Sequence, residues 1–427
     1  MFFYCDEKMP LLILNGIFVM FMSTWINDYS KVGVAMEHTS RIRTWLEIFL
    51  TALKLGLTSF GGPVAHLGYF HQEYVQRKKW IDEKTYGDLV ALCQFLPGPA
   101  SSQVGIGIGV LRGGAIGGIM SFLGFTLPSA SLLILFAAFM QTLGMEQINW
   151  FNGLKLVALA VVAHAVIQMA KSFAFDMKTK LIALFTLVFL LLWQAPFAQI
   201  SAIAVSGIIG LVLFQNGRSG EHPTTRFPLS KRFGALSLTL FFGFLLFLPF
   251  VHRFSGHHWA VLLDGFYRSG ALVFGGGHVV LPLLENEFVP TWLNEQQFLT
   301  GYGMAQAVPG PLFTFASYLG TVIAGWQGGL IATFAIFLPA VLLIFGALPF
   351  WDMLRKNRFA KSALIGINAS VVGILAAALY DPIWTSSVHS TKDVALAAIL
   401  FAMLVHFKLP PWTVVLAGLF GWLLFNM

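Results

Sequence analysis

FGGP at residues 60–63 is followed by PGP at residues 97–99, and both blocks return in the same order as FGGG at residues 274–277 and PGP at residues 309–311. Proline stops a helix, and glycine adopts backbone angles that other residues avoid, so each block predicts a break in a helix. Two helix-breaking blocks in the same order indicate an internal duplication.

Further residues keep their spacing between the repeated blocks. Glu73 corresponds to Glu287 at an offset of 214, and Gln94 corresponds to Gln306 at an offset of 212. One gap of two residues therefore aligns the two halves. An acid and an amide shared at matched positions strengthen the interpretation as a duplication.

The composition is that of a membrane protein. Of the 427 residues, 57% are hydrophobic and 11% are charged, whereas soluble domains carry about 25% charged residues. The net charge of +7 does not indicate nucleic-acid binding, because the basic residues lie in short loops, where they set orientation in the membrane. Cys5 and Cys93 are the only cysteines and form no CxxC motif, so no disulfide framework and no cofactor are predicted.

Apolar runs predict nine spans outside the broken segments. They cover residues 115–141, 151–169, 181–194, 197–214, 233–251, 326–350, 363–379, 394–406 and 412–425. A tenth run, residues 10–26, is either a real first span or part of an upstream extension, with translation starting at Met36. The predicted regions are an N-terminal extension with an extra span (1–35), a first repeat (36–214), a cytoplasmic linker (215–232) and a second repeat (233–427).

Four segments carry Gly/Pro breaks in their middle and are not clean spans: residues 45–76 and 86–111 in the first half, and residues 260–288 and 296–323 in the second. A broken backbone leaves polar groups unpaired, which a membrane tolerates only inside the protein or against a water-filled cavity. We interpret these segments as re-entrant helical hairpins that meet near the midplane.

The basic residues indicate that the halves insert upside down relative to each other. Residues 77–79 (RKK) have no basic counterpart at 290–295, whereas residues 355–358 (RKNR) have none at 145–147. Equivalent loops therefore lie on opposite sides of the membrane by the positive-inside rule. The predicted fold is an all-α polytopic membrane protein with two inverted-topology repeats, about ten spans and Gly/Pro-broken re-entrant hairpins.

Two cations occupy equivalent positions, because Lys54 and Arg268 each lie six residues before a Phe-Gly-Gly block. A cation within a membrane helix is costly and persists when it holds an anion, pairs with an acid or reaches the interface. An anion site is the functional interpretation of this pair. Pairing with an acid, and extension of Lys54 to the interface, are the structural alternatives.

The Gly/Pro blocks can supply backbone N–H groups to a ligand. A helix that begins after a break presents its free N–H groups and the positive end of its dipole to the cavity at the break. The hydroxyls that follow each PGP suit a tetrahedral oxyanion. The alternative is that the breaks only kink packed helices and that the hydroxyls bond back to the preceding turn. The candidate substrate-binding residues are Lys54, Gly61, Gly62, Pro63, Gln94, Pro97, Gly98, Pro99, Ser101, Ser102, Arg268, Gly275, Gly276, Gly277, His278, Gln306, Pro309, Gly310, Pro311 and Thr314.

Glu73, Glu287 and His66 are candidates for carrying a coupling proton, with a structural role as the alternative for each. His252, His257 and His258 have no close cysteine or acid, so no metal site is predicted. The chain contains no nucleotide loop and no HExxH motif, and no catalytic residue is assigned. Secondary active transport follows by elimination.

The repeated blocks resemble those of the bidomain chromate transporter family. The resemblance rests on WIDExxYxDLxALCQFLPGPASSQ at residues 80–103, FGGGHVVLPLLE at 274–285 and QAVPGPLFTFASYLG at 306–320, and it extends over about residues 36–425. It implies efflux of chromate from the bacterial cytoplasm across the inner membrane, and hence chromate resistance. Sulfate shares the charge and tetrahedral shape of chromate, and no residue in the sequence separates the two.

Other functions remain open from the sequence. A sulfate or general oxyanion carrier or exchanger fits the same residues, and so does a passive anion channel. A membrane chromate reductase requires a flavin, a haem or a thiol pair, for which the sequence has no fingerprint. The lipid bilayer is the expected setting, and a homo-oligomer remains open.

Overall fold

The computed structural model describes residues 37–60, 62–142, 152–193, 198–214, 228–255, 258–274, 277–351 and 358–426, and every regular element in these residues is helical. Fifteen α-helices of nine or more residues lie in this part of the chain. They are α1 Glu37–Thr58, α2 Gly62–Phe70, α3 Glu83–Phe95, α4 Ala100–Thr142, α5 Asn152–Phe173, α6 Met177–Leu192, α7 Ala198–Leu213, α8 Lys231–Ser255, α9 His258–Ala271, α10 Val280–Phe288, α11 Glu295–Ala307, α12 Phe315–Ala347, α13 Arg358–Ala378, α14 Thr391–Val405 and α15 Pro411–Asn426.

Short helical turns adjoin several of these helices. They are the π-helical turns His71–Arg77 and Leu379–Trp384, the 3₁₀ turns Gly277–Val279, Leu312–Thr314 and Leu348–Phe350, and the single turn Thr385–Ser387. The N-terminal extension (1–35) and most of the linker, residues 215–227, lie outside the described residues, as do Gly61, Gly275 and Gly276.

Five helical stretches are long and apolar enough to cross a membrane: Ala100–Thr142, Asn152–Phe173, Lys231–Val251, Leu312–Phe350 and Lys361–Ser387. Two shorter apolar helices, Ala198–Leu213 and Pro411–Phe425, accompany them. The chain is therefore a multi-pass, all-helical membrane protein, as the composition predicts. Each of the nine predicted apolar runs coincides with a helix or with one arm of a helix.

Helix α4 turns back on itself at Gly114, where φ is +67. A Cβ at Gly109 would overlap the carbonyl oxygen of Gly117, and Ser121 Oγ donates a 2.8 Å hydrogen bond to Gly105 O. Contacts between residues 8 and 16 positions apart require two antiparallel arms, 100–112 and 115–142. The sequence placed the start of this span at residue 115, which is the start of the second arm.

Helix α12 repeats this turn at Gly325, where φ is +66. A Cβ at Gly320 would overlap the carbonyl oxygen of Gly328, and the hydroxyls of Ser317 and Thr333 lie 2.7 Å apart. The predicted start of this span at residue 326 is again the start of the second arm. The glycines therefore allow each pair of arms to pack with their backbones in contact.

The two helical segments beside the first PGP break are too short to cross a membrane alone. Helix α3 and the first arm of α4 have thirteen residues each, so each is about 20 Å long against a hydrocarbon core of about 30 Å. The described non-helical residues 59–60 and 96–99 fall within the predicted broken segments.

The two halves pack extensively on each other. Helix α4 packs against α12, and α13 packs against α6 and α7. Helix α8 is peripheral, because Leu246 and Phe247 on its surface are 68% and 65% exposed. Helix α12 is central, and Phe315 and Ile336 at its contacts are fully buried. The broken segments thus lie inside a shared core and not within one half.

Candidate functional site

The two PGP glycines bind reciprocally to the backbone of the opposite half. Gly98 N donates a 2.7 Å hydrogen bond to Val273 O, and Gly310 N donates a 2.9 Å hydrogen bond to Ser59 O. Ser59 and Val273 each immediately precede the phenylalanine of a Phe-Gly-Gly block. Each PGP break is therefore joined to the Phe-Gly-Gly break of the other half.

Both of these glycines are required by conformation and by space. Gly98 has φ +111 and Gly310 has φ +103, in the left-handed region that disfavours a side chain. A Cβ at Gly98 would lie 3.1 Å from Ala340 Cβ, and one at Gly310 would lie 2.9 Å from Ser129 Oγ. The flanking prolines end the helix on either side.

The two Phe-Gly-Gly breaks also adjoin each other. A Cβ at Gly277 would lie 3.5 Å from Pro63 Cγ, and one at Gly62 (φ +79) would lie 4.0 Å from His278 Nε2. All four breaks are thus linked by direct contacts. The described candidates at the breaks converge on one place, as proposed for the hairpins.

A polar cluster lies at the first-half break, where α4 begins. His66 Nδ1 lies 3.3 Å from Ser101 Oγ, and Gln103 Nε2 donates a 2.8 Å hydrogen bond to Pro97 O. Ser59 and Gln103 belong to this cluster but were not among the sequence candidates. Gln103 ends the quoted PGPASSQ block, and Ser59 directly precedes FGGP, so their positions were the available signal.

The second-half candidates have partners of their own. His278 Nδ1 lies 2.7 Å from Tyr302 Oη. Thr314 Oγ1 donates a 2.7 Å hydrogen bond to Pro311 O, which also accepts a bond from Thr314 N at 3.1 Å. Bonding back to the preceding turn is the structural alternative that the sequence offered for these hydroxyls. Pro309 completes this break beside Gly310.

The matched glutamines lie in different surroundings. Gln94 is exposed on α3, whereas Gln306 is buried on α11, where its side-chain nitrogen has no partner. Gly303 on α11 packs closely against the backbone of Leu154 on α5, which covers this helix. The structure therefore does not bring Gln94 and Gln306 into equivalent positions.

Each matched cation forms an ion pair with the matched acid of its own half. Lys54 Nζ lies 3.0 Å from Glu73 Oε2, and Arg268 Nη2 lies 3.0 Å from Glu287 Oε1. Pairing with an acid is the structural alternative for these cations. The sequence contains a signal for these ion pairs. The two cations and the two acids correspond between the halves at the same offset of 214, so the spacing from cation to acid is identical in both halves.

Additional charged groups complete each pair. Arg77 approaches Glu73 at 3.2 Å in the first half. In the second half, Asp264 Oδ2 lies 2.6 Å from Arg268 Nη2, and its side chain is 2% exposed. Asp264 has no acidic counterpart, because the matched residue is Leu50. The comparison of the halves therefore could not find it.

The comparisons with known proteins agree with this arrangement of two related halves. A family model described as "Chromate transporter" matches the chain twice, over residues 46–211 and 260–422. No solved structure matches the chain.

Similar proteins come from several microorganisms. An uncharacterized transporter of Methanocaldococcus jannaschii is 28% identical over 338 residues, covering 78% of this chain and 83% of its own. A probable chromate transport protein of Synechococcus elongatus is 29% identical and covers 86% and 93%. A chromate transport protein of Pseudomonas aeruginosa is 27% identical and covers 89% and 92%.

Proposed function

Because the chain belongs to the chromate transporter family, a family of transporters and not of enzymes, we propose that it exports chromate from the cytoplasm by secondary active transport. Its setting is the inner membrane of a bacterium, and its activity confers resistance to chromate. The substrate is a tetrahedral dianion that accepts hydrogen bonds from every direction.

The observation that carries this proposal is the meeting of the four breaks around the start of α4. The positive end of a helix and its free backbone N–H groups favour an anion, and His66, Ser101 and Ser102 place polar side chains at that end. Discontinuous helices that meet inside a membrane protein are typical of substrate sites in transporters.

Transport requires access from one side at a time, and the two short hairpins differ in exposure. Gly87, Ala91 and Gln94 form an exposed strip along α3. Small and polar residues suit the wall of a water-filled vestibule better than a surface facing lipid. The corresponding strip of α11, which includes Leu299 and Gln306, is buried. This difference in exposure supports alternating access. In this conformation the vestibule along α3 is open, and the corresponding path along α11 is closed.

The transport model includes inverted repeats. The turns at Gly114 and Gly325 and the reciprocal bonds of Gly98 and Gly310 occur at matched positions in the two halves. The opposite charge of matched loops supports their insertion with opposite orientation. Exchange between two related arrangements of the halves would then move the site from one side of the membrane to the other.

Single cysteines test the orientation and the vestibule together. We expect Lys79→Cys and Thr291→Cys to react with a membrane-impermeant thiol reagent from opposite faces, and Ala91→Cys to react from the same face as Lys79→Cys. Every variant also carries Cys5→Ser, so that Cys93 is the one native cysteine left, and Cys93 is fully buried and provides a low background. Labelling of the two loop positions from one face would refute the inverted repeat, and an unreactive Ala91→Cys would refute the vestibule.

Flux measurements test the function itself. In proteoliposomes we expect saturable uptake of labelled chromate, with a response to an imposed proton gradient if Glu73, Glu287 or His66 carries a coupling proton. Excess sulfate is the competitor. Chromate flux that resists sulfate would support a dedicated chromate carrier, and flux that sulfate abolishes would indicate a general oxyanion carrier. Liposomes without protein are the control, and flux equal to theirs would contradict the proposal.

A further inference from the structure

Three buried hydrogen-bond donors near the start of α4 have no hydrogen-bond partner, namely Ser59 Oγ, His66 Nε2 and Ser102 Oγ, and one buried acceptor beside them, Gln103 Oε1, is also unpaired. Their residues are at most 2% exposed. An unpaired polar group in a protein interior is costly and calls for an explanation. A ligand that accepts hydrogen bonds would satisfy the three donors.

The three residues surround the beginning of one helix. His66 Nδ1 contacts Ser101 Oγ on the first turn of α4, and Ser102 follows on the same turn. The backbone of Ser59 lies beside the His66 ring, although His66 Nε2 makes no hydrogen bond of normal geometry. The backbone N–H groups of this first turn have no acceptor within the helix and are therefore free for a ligand.

Two of the three donor positions are apolar in the corresponding region of the second half. Ser59 corresponds to Val273 and His66 to Val280 at the offset of 214, and both valines are fully buried.

Aromatic rings fill the rest of that region. Phe313 and Phe315 stand where the first half has Ser101 and Gln103, at the offset of 212. The Phe313 ring packs against Phe337, with the ring centroids 5.9 Å apart. Phe313 and Phe315 are at most 1% exposed.

Thr314 stands where the first half has Ser102, but its hydroxyl already donates to Pro311 O at 2.7 Å. The second half thus has no counterpart of the Ser59 and His66 donors.

We propose that one oxyanion binds at the N-terminus of α4, with Ser59 Oγ, His66 Nε2 and Ser102 Oγ as hydrogen-bond donors and the second half contributing an apolar wall. This proposal rests on the proposed function and adds the residues and the stoichiometry of one anion per chain. When Ser101 donates to His66 Nδ1, the ring proton lies on Nε2 and points to the ligand as a donor. A desolvated dianion gains most from such donors, because hydrogen bonds to charged groups are stronger than neutral ones.

Binding and stability measured on the same variants test the site. Ser59→Ala and Ser102→Ala remove hydroxyls that have no partner in the empty site, so we expect the Tm of the ligand-free protein to stay constant or to rise. Each variant should weaken equilibrium binding of labelled chromate by about tenfold or more. His66→Gln should weaken it similarly. A site with two equivalent anions would instead give a binding stoichiometry of two per chain.

Ser370→Ala is the matched control, because Ser370 is fully buried on α13 and its hydroxyl already donates to Ile367 O at 2.8 Å. This variant should lower the Tm and leave chromate affinity unchanged. If Ser59→Ala and Ser102→Ala bind chromate as tightly as the wild type, the proposed site is wrong, even where flux by the wild type upholds the proposed function. A lower Tm for both variants together with unchanged affinity would show that the hydroxyls are structural.

Discussion

Alanine in place of Gly98 or Gly310 is expected to abolish transport and to lower the folded yield of the protein. A side chain in the left-handed conformation costs about 1–2 kcal/mol, and overpacking of a dense interior costs about 1–3 kcal/mol more. Both terms apply here, because each residue has φ above +100 and a Cβ would press on the opposite half. A backbone displacement that makes room for the Cβ would also strain the hydrogen bonds from Gly98 N to Val273 O and from Gly310 N to Ser59 O.

The measurement is chromate flux in proteoliposomes together with the monodisperse fraction after purification. Gly243→Ala on the exposed face of α8 is the control, since a Cβ there meets nothing within 4 Å. Removing the opposing Cβ should restore part of the folded yield in the double variant Gly98→Ala/Ala340→Gly, because the contact with Ala340 Cβ then disappears. The 3.2 Å approach to Gln103 Nε2 and the conformational cost remain. Wild-type flux from Gly98→Ala would show that this break tolerates a side chain and that its close approach is not required.

The sequence predicted the helices well because apolar runs in a membrane protein have one dominant cause, which is the need of a membrane-spanning helix for apolar residues. The run that begins at residue 115 starts immediately after Gly114, so the pattern located the turn without identifying it. The glycines at residues 105–109 allow close packing of helices, because a Cβ at Gly109 would overlap the carbonyl oxygen of Gly117. The pattern did not predict that the first arm of α4 packs against the second arm of the same helix. The periodicity of a helix does not identify the helix against which it packs.

The site was only partly predictable, for a related reason. Matching the two halves identifies residues that both halves keep, and it therefore found Lys54, Arg268 and their acids. Matching the halves gives no information about the role of a residue that only one half carries. His66 aligns with Val280, so matching the halves gives no support to this coupling candidate. Its position becomes informative once Ser59 and Ser102 are seen around the same helix end. Asp264 was missed because its counterpart is Leu50.

Loss of the Arg268 guanidinium is expected to be far more damaging than loss of the matched lysine. Arg268→Gln removes the cation that lies 2.6 Å from the carboxylate of Asp264, which is 2% exposed, and 3.0 Å from that of Glu287. Removing one partner of a buried ion pair costs about 3–5 kcal/mol, and the partial exposure of Arg268 places the effect near 3 kcal/mol. Lys54→Gln leaves Glu73 with Arg77 at 3.2 Å, so a smaller loss is expected. Thermal stability of the two purified variants, compared side by side, checks this order.

A double variant then separates a structural role of Arg268 from direct contact with the substrate. Asp264→Asn in the Arg268→Gln background removes the buried negative charge that the arginine faced, so stability should recover substantially. If Arg268 acts only by compensating Asp264 and Glu287, chromate flux should recover along with stability. Recovery of stability without flux would contradict this and would place the guanidinium in contact with the anion, as the sequence alone suggested. We expect both to recover, because the geometry already commits Nη2 of this arginine to two carboxylates at 2.6 and 3.0 Å.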